Sequence, residues 1–275
     1  MTIAQALAAA ITLGLDKLDA QLLLLHTIGR PLHDRAWLLA HDTDDFLEST
    51  WPALARQVGR RVAGEPLAYL VGEKEFHGLT LQVDARVLVP RPDTETLVDW
   101  ALEQLASLTS PTVLDLGTGS GAIALALAHA RPDATVHAVD ASADALAVAS
   151  GNATHLALAV QFTQADWLDG ASAGYDVIVS NPPYITADDP HLVALRHEPI
   201  GALAAGEDGL DDLRRIVRDA PEHLAEGSWL LLEHGHHQAG AVKTLLSARG
   251  FAEIQSRRDL AGIERCSGGI WRTVK

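Results

Sequence analysis

The chain has 275 residues, too many for one typical domain and comfortable for two. Hydrophobic residues make up 48%, charged residues 21%, and mean hydropathy is +0.09, so a sizeable buried core is expected. A formal net charge of −15 and a pI of about 5.2 argue against a broad non-specific nucleic-acid interface, because an acidic surface repels phosphate backbones.

The N-terminal stretch MTIAQALAAAITLGLDKLDAQLLLLHTIG is apolar but lacks a basic leader. Asp16, Lys17 and Asp19 interrupt it well short of the roughly 20 apolar residues a membrane span needs. It reads as two helices of a soluble protein. The first 65 or so residues are helical in pattern, with Leu13, Leu15, Leu18, Leu22, Leu23 and Leu25 at helical spacing and Gly14 and Gly29 near helix ends. Pro31 and Pro52 punctuate the segment, and Pro52 fits the first turn of a new helix. Arg56, Arg60 and Arg61 share one face of that helix and read as solvated surface. Around Gly64-Glu65-Pro66 the pattern changes. YLVGEKEFHGLTLQV alternates and predicts a hairpin from about Tyr69 to Val83.

After VLVPRPDTE the chain settles into strand–helix alternation. PTVLDLG, ATVHAVD, VQFTQAD, YDVIVSN and GSWLLLE each end a short β-rich run, with helical GAIALALAHA, ADALAVASGNATHLA and GLDDLRRIVRDAPEHLA between most of them. This pattern predicts an α/β fold, a mainly parallel sheet covered on both faces. The expected organisation is a helical domain over 1–66, a β-hairpin linker over 67–86 and the α/β domain over 87–275. Ligands of such sheets bind beyond the carboxyl ends of the strands, where Asp115, Asp140, Asp166 and Asn181 are expected. Cys266, the single cysteine, rules out an intramolecular disulfide framework and points to a reducing compartment, with the cytoplasm as the expected location.

VLDLGTGSGAIALALA places Gly117, Gly119 and Gly121 between a strand and a helix. Gly117-x-Gly119-x-x-Ala122 also satisfies the dinucleotide fingerprint, so the glycines alone leave the ligand open. Asp115 separates the alternatives: a carboxylate aimed at the ligand would repel a pyrophosphate and attract an ammonium and a sulfonium, the charges of S-adenosylmethionine. Asp140 is placed to accept from ribose hydroxyls. Asp166 could accept from an adenine amino group, and Trp167 could pack on the purine.

VSNPPYIT follows the fourth strand. Pro182 and Pro183 have fixed φ and no N–H, leaving carbonyls to accept. The Asn181 side-chain oxygen and the Pro182 carbonyl could each take one N–H of a planar –NH2 group, directing its lone pair at a sulfonium methyl. Tyr184 could cover the planar group and exclude water. His234, His236 and His237 in EHGHHQ fit no zinc framework, and no metal is expected.

DLGTGSG, the Asp140 strand end and NPPY together resemble the class I S-adenosylmethionine-dependent methyltransferases that modify amide or exocyclic amino nitrogens. Within that class, GEPLAYLVGEKEFHG, VLVPRPDTETLV, SNPPYI and LLLEHG resemble the peptide chain release factor N5-glutamine methyltransferases, the HemK/PrmC family, from roughly Leu22 to the C-terminus. The resemblance implies a Rossmann-like domain with a seven-stranded, mainly parallel sheet behind a small helical N-terminal domain. It implies methyl transfer to the glutamine of a Gly-Gly-Gln loop in release factors, with no direct nucleic-acid or membrane partner. The cofactor-binding residues expected are Asp115, Gly117, Thr118, Gly119, Ser120, Gly121, Asp140, Asp166, Trp167 and Asn181. Asn181, Pro182, Pro183 and Tyr184 would hold the substrate, with Asn181, Pro182 and Tyr184 acting in catalysis. Thr94 and Glu95 would shape the methyl-donor pocket, and the helical domain would grip the release factor. The alternative activity is amino-nitrogen methylation of a ribosomal-protein glutamine or of nucleic-acid adenine. A nicotinamide-dependent oxidoreductase is disfavoured by Asp115, and a non-enzymatic binding module by the intact NPPY.

Overall fold

The computed structural model describes residues 1–272 and divides into two compact units, Met1–Glu73 and Lys74–Lys275. The first unit is helical: α1 (Ile3–Thr12), α2 (Lys17–Thr27), α3 (Arg35–Ala40), α4 (Trp51–Val62) and α5 (Leu67–Val71). The polar residues that interrupt the apolar N-terminus start helices. Thr2 and Gln5 form a reciprocal capping box on α1, and the Asp16 carboxylate accepts from Asp19 N–H at 2.9 Å to cap α2. Pro52 sits in the first turn of α4, where its missing N–H has no intrahelical partner to lose.

Leu23, Leu24, Leu25 and Leu54 are fully buried at the centre of this unit. Leu13 and Leu18 lie outside the core, 52% and 47% exposed, because the turn at Gly14 breaks the helical phase that their spacing suggested. Arg60 and Arg61 are held by ion pairs, Arg60 to Glu65 and Arg61 to Asp19 at 2.6 Å; they are not freely solvated. The expected hairpin also starts later than its alternation suggested. Ala68 and Leu70 are buried from the helix α5, which Gly72 ends at φ +81°.

The hairpin is β1 (Glu73–Phe76) and β2 (Leu79–Gln82), joined through His77 and Gly78, both at positive φ as a tight two-residue turn requires. Helix α6 (Glu95–Leu105) follows, a segment the strand–helix pattern did not single out. The sheet then builds from β3 (Thr112–Leu116), α7 (Ala122–Ala130), β4 (Thr135–Asp140), α8 (Ala143–Leu156), β5 (Gln161–Gln164), β6 (Tyr175–Ser180), α9 (Asp211–Asp219), β7 (Leu224–Glu233), α10 (Ala239–Arg249), β8 (Ala252–Arg258) and β9 (Glu264–Ile270). Its seven strands run in the order β5-β4-β3-β6-β7-β9-β8. The first five are parallel, and β9 lies antiparallel to both β7 and β8.

Strand alternation assigns the two faces. Val113, Val177, Val179 and Leu231 pack with Leu97, Trp100 and Leu125 of α6 and α7; Leu114, Leu116, Ile178 and Leu230 pack with Leu213, Ile216 and Val242 of α9 and α10. The chain moves outward from β3 to β5 and then returns to β6 on the other side of β3. The direction therefore reverses between β3 and β6, and their carboxyl ends are where ligands of open α/β sheets bind. Among the described residues no helix is long and apolar enough to cross a membrane.

Candidate active site

The loop after β3 is folded by its own backbone. Gly117 and Thr118 N–H both donate to Val139 O at 2.9 Å, and Gly119 N–H donates to the Asp140 carboxylate at 2.8 Å. Gly117 and Gly121 have φ of +69° and +85°. A Cβ on Gly117 would stand 3.1 Å from the Trp167 ring, and one on Gly121 3.0 Å from Leu125, so side chains there would meet both strain and crowding.

Asp115 differs from the sequence expectation. It lies within β3, one residue before its end, on the same face as Val113 and beneath the start of α7. There it is fully buried, with one carboxyl oxygen accepting from the Thr118 hydroxyl at 2.7 Å and Ala124 N–H at 3.2 Å, and the other without a partner. It does not line the cavity described below, so it anchors the glycine loop instead of selecting the ligand by charge. Burial pushes its carboxyl up to about 7. The unfolded chain, with an ordinary carboxyl near 3.8, releases a proton that the folded protein keeps. Stability from this group is therefore present at low pH and is lost as pH rises through about 7, on a scale of ~1.4 kcal/mol per pH unit. Asp115→Asn is expected to lose less melting temperature than the parent between about pH 5 and about pH 8. Parallel melting curves across that range check it, and identical slopes would remove the assignment.

A cavity of about 370 Å³ opens at the carboxyl ends of the parallel strands. Of the residues expected at the cofactor, it gathers Gly117, Asp140, Asp166, Trp167 and Asn181. Thr118 and Ser120 border a smaller cavity of about 50 Å³ beside Thr94, while Gly119 and Gly121 shape the loop and line neither. Asp140 closes β4, and its two oxygens accept from Gly119 N–H and Ser142 N–H at 2.8 and 2.9 Å. Each oxygen keeps a further lone pair for a ligand. Trp167, at φ +55°, donates its indole N–H to Asp212 at 3.1 Å, which fixes the ring as a wall. Burial holds the Asp212 carboxyl above its ordinary range, against the pull of that N–H. Asp166 is tied to Arg215 at 2.7 Å. The one arginine in the lining, Arg86, is chelated by Asp84. With Asp166 paired to Arg215 and Arg86 paired to Asp84, Asp140 and Asp212 leave the lining net acidic, which suits a cationic ligand and opposes a pyrophosphate.

Asn181 stands just past β6 and also borders a second cavity of about 270 Å³ that contains Tyr184 and the apolar side chains Leu88, Ile185 and Leu195. Its side-chain nitrogen donates to Thr94 Oγ1 at 3.2 Å, which turns its oxygen away from Thr94. Pro182 and Pro183 are buried; Pro183 lines the first cavity. Burial, with Glu233 next, pushes the Tyr184 phenol up to about 12, so it stays neutral.

The surrounding braces were not foreseen. Glu198 accepts from Val89 N–H at 3.0 Å and Arg91 at 2.6 Å, joining the VLVPRPDTE stretch to the wall at Pro199–Ala202. Gln238 donates to Tyr184 O and Gly209 O at 3.1 and 3.2 Å while accepting from Gly235 N–H. Both are long-range contacts without a local pattern. Glu233 had one signal, a charged residue closing the apolar run LLLE, and it is 1% exposed. In EHGHHQ, His234 is buried against Ser267 Oγ at 2.8 Å. Among the described residues no group of His, Cys, Asp or Glu is arranged to hold a metal.

The sheet order, the glycine loop and the rim cavity define a class I methyltransferase domain. The family model of the methyltransferase small domain matches residues 94–197, and that of the PrmC N-terminal domain matches residues 2–72. The chain belongs to the release factor glutamine methyltransferase family. It is 51% identical over 263 residues to the release factor glutamine methyltransferase of Bordetella pertussis, covering 93% of this chain and 95% of that one. It is 49% identical to that of Burkholderia pseudomallei, over 93% and 92% of the two chains. Among solved structures, the 16S rRNA N2 G1207 methyltransferase of T. thermophilus, in complex with AdoMet and guanosine, has a TM-score of 0.56 at 21% identity. That likeness covers 73% of this chain and 50% of the other and concerns the fold.

Proposed function

We propose that this protein transfers a methyl group from S-adenosylmethionine to the side-chain amide nitrogen of the glutamine in the Gly-Gly-Gln loop of peptide chain release factors. The observation that carries the reading is the orientation of Asn181: its nitrogen is committed to Thr94, which leaves its oxygen as an acceptor between the two cavities.

The residues present suit the cofactor. The cavity volume is in the range of small-molecule sites, and its acidic lining favours a cationic ligand that has no phosphate. Gly117 allows close approach, Asp140 offers lone pairs to the ribose hydroxyls, and Trp167 and Asp166 border the adenine end. Pro183 and Asn181 border the end toward the second cavity. When bound, the cofactor supplies an electrophilic methyl group on a sulfonium.

A carboxamide –NH2 is planar and weakly nucleophilic because its lone pair is delocalised. The Asn181 oxygen and the Pro182 carbonyl each accept one of its N–H bonds, fixing its plane. Two acceptors also favour the positive charge that develops on nitrogen as it becomes pyramidal. As the N–CH3 bond forms, the S–CH3 bond breaks and its electron pair stays on sulfur, and the methylated nitrogen then gives up one amide proton, which passes to solvent after the transfer. Tyr184, neutral and largely buried, covers the group and keeps water out. Positioning of this kind supplies on the order of 7–11 kcal/mol when the geometry is near attack.

The test is mass spectrometry of a purified release factor after incubation with the protein and labelled methyl donor. The expected result is one added methyl on the Gly-Gly-Gln peptide. A factor left unmodified, while a ribosomal protein or an adenine base takes the label, overturns the assignment.

A further inference from the structure

We propose that Gln238 is a positioning residue for the transfer step, its side-chain amide tying together the two ends of the chain segment that walls the acceptor cavity. The inference rests on the methyl-transfer reading above and extends it to a residue that lines neither of the two larger cavities.

After the NPPY corner the chain leaves the sheet at Tyr184 and starts α9 only after Gly209. The segment between, residues 185–208, supplies Pro199 and Gly201 to the first cavity and Ile185, Leu195 and Leu203 to the second. Its regular structure is two short 3-10 helices, Pro190–Val193 and Ile200–Ala202. The segment closes on itself at its base. Ile185 N–H donates to Leu203 O and Ala205 N–H to Ile185 O, both at 2.9 Å, and Tyr184 N–H donates to Leu203 O at 3.2 Å. A wall built from loop is placed by such attachments and not by its own periodicity.

One amide serves both ends. Gln238 Nε2 donates to Tyr184 O at 3.1 Å and to Gly209 O at 3.2 Å, with Asp208 O at 3.4 Å, while Oε1 accepts from Gly235 N–H at 2.8 Å. The partners fix which end of the amide points where, since carbonyls only accept and a backbone N–H only donates. Gln238 occupies the N-cap of α10, where a side chain ordinarily accepts from an N–H of the first helical turn. It makes no such bond and is turned to the corner instead. Two glycines leave room for it. A Cβ on Gly209 would stand 2.2 Å from Tyr184 O and 2.7 Å from Gln238 Nε2. One on Gly235 would stand 3.0 Å from Gln238 Oε1 and 3.5 Å from the Tyr184 ring. The turn between β7 and α10 is thus packed directly behind the residue that covers the acceptor.

That turn is itself anchored to the sheet. Gly235 O accepts from Gln238 N–H at 2.9 Å and lies 3.0 Å from His234 Nδ1, and the His234 ring is held on Ser267 Oγ of β9. Gln238 therefore carries the rigidity of β7 and β9 to the corner. Without its –NH2, the Tyr184 and Gly209 carbonyls lose a shared donor, and the base of the segment keeps only its own backbone bonds. The Tyr184 ring and the apolar wall beside it then shift against the acceptor amide. The cofactor end is spared. Asp140 and the glycine loop take no bond from Gln238, and Glu198 still holds its side of the wall to Val89 and Arg91.

Two variants test this. Gln238→Glu has the same shape and keeps an oxygen for Gly235 N–H, but it sets a second oxygen against the Tyr184 and Gly209 carbonyls. It is expected to lower kcat/KM for the release factor roughly 10- to 100-fold with cofactor Kd within about threefold, because placement of the acceptor is lost and the donor site is kept. Gly235→Ala removes no hydrogen-bonding group and only crowds Gln238 Oε1, so it should give a smaller loss of the same kind. Cofactor affinity that falls in step with kcat/KM, or kcat/KM unchanged in Gln238→Glu, overturns the proposal. A readout that needs no turnover separates it from the reading it rests on. The Ile185 and Ala205 amides should exchange hydrogen about tenfold faster in Gln238→Glu, with those of β3 and β4 unchanged. If they do so in a protein that methylates no glutamine, the substrate reading fails and the tie on the segment stands. Amides equally protected in parent and variant overturn the tie.

Discussion

Asn181→Ala is expected to lower turnover by about two to three orders of magnitude while leaving S-adenosylmethionine affinity within a few-fold. Its side chain lines the rim cavity but carries no charge toward it, and the cavity keeps Asp140, Asp166 and Trp167 without it. On the proposed mechanism, what the variant loses is one of two acceptors for the reacting amide. The planar group can then turn about its remaining hydrogen bond, and its lone pair no longer points along the path of attack. The loss should appear in kcat at saturating cofactor, since the geometry is needed most at the transition state. Single-turnover rates beside calorimetric cofactor titration make the comparison. Equal losses in both would reassign Asn181 to cofactor binding.

For Asp140→Ala the effects should divide the other way. Each of the two carboxylate oxygens accepts a backbone N–H, from Gly119 and Ser142, and each is available to a ligand hydroxyl. Hydrogen bonds to a charged group contribute about 1.5–3 kcal/mol each, and about 1.4 kcal/mol is a factor of ten, so cofactor Kd should rise on the order of 100-fold or more. Part of that loss is structural. The Gly119 N–H loses its acceptor, and the glycine loop is less organised before the ligand arrives. Asp140→Asn, which retains one accepting oxygen, should fall between the parent and the alanine variant. Turnover at saturating cofactor should change little, because Asp140 lies on β4 and the proposed reacting end lies beyond β6. Isothermal titration that finds the same Kd in all three proteins would rule out a ribose contact.

The two variants together separate holding the methyl donor from holding the acceptor. Their difference follows from the position of each residue on the sheet. In the proposed mechanism β4 and the β3 loop hold the methyl donor, and the β6 corner holds the acceptor. Substitutions that move one parameter and spare the other are what such a division produces.

Much of this protein could be read along the chain because its signals are local. Strand–helix alternation follows from apolar periodicity and turn residues over short windows, so β3 to β7 and their helices were legible. The glycine loop and NPPY depend on backbone conformations that only certain residues adopt, and they keep that meaning wherever they fall in the fold. The resemblance of whole segments to one enzyme family likewise needed no coordinates. Asp140, Trp167 and Asn181 could therefore be placed at the carboxyl rim of the sheet from order alone.

What remained depended on which face a side chain takes and on what arrives opposite it. Asp115 was placed at a strand end and aimed outward, yet one residue of phase puts it under α7 with its charge suppressed by burial. Glu198 reaches back 109 positions to Val89, and Thr94 meets Asn181 across 87, so neither partner can be inferred from its neighbours in the chain. Glu233 is polar in an apolar run, but its burial at the end of β7 is decided by the segments that pack over it. Local sequence sets backbone shape through sterics. Hydrogen-bond direction and protonation are set by the surroundings that folding brings together, which is why the acceptors at the corner could be anticipated while the residues that aim them could not.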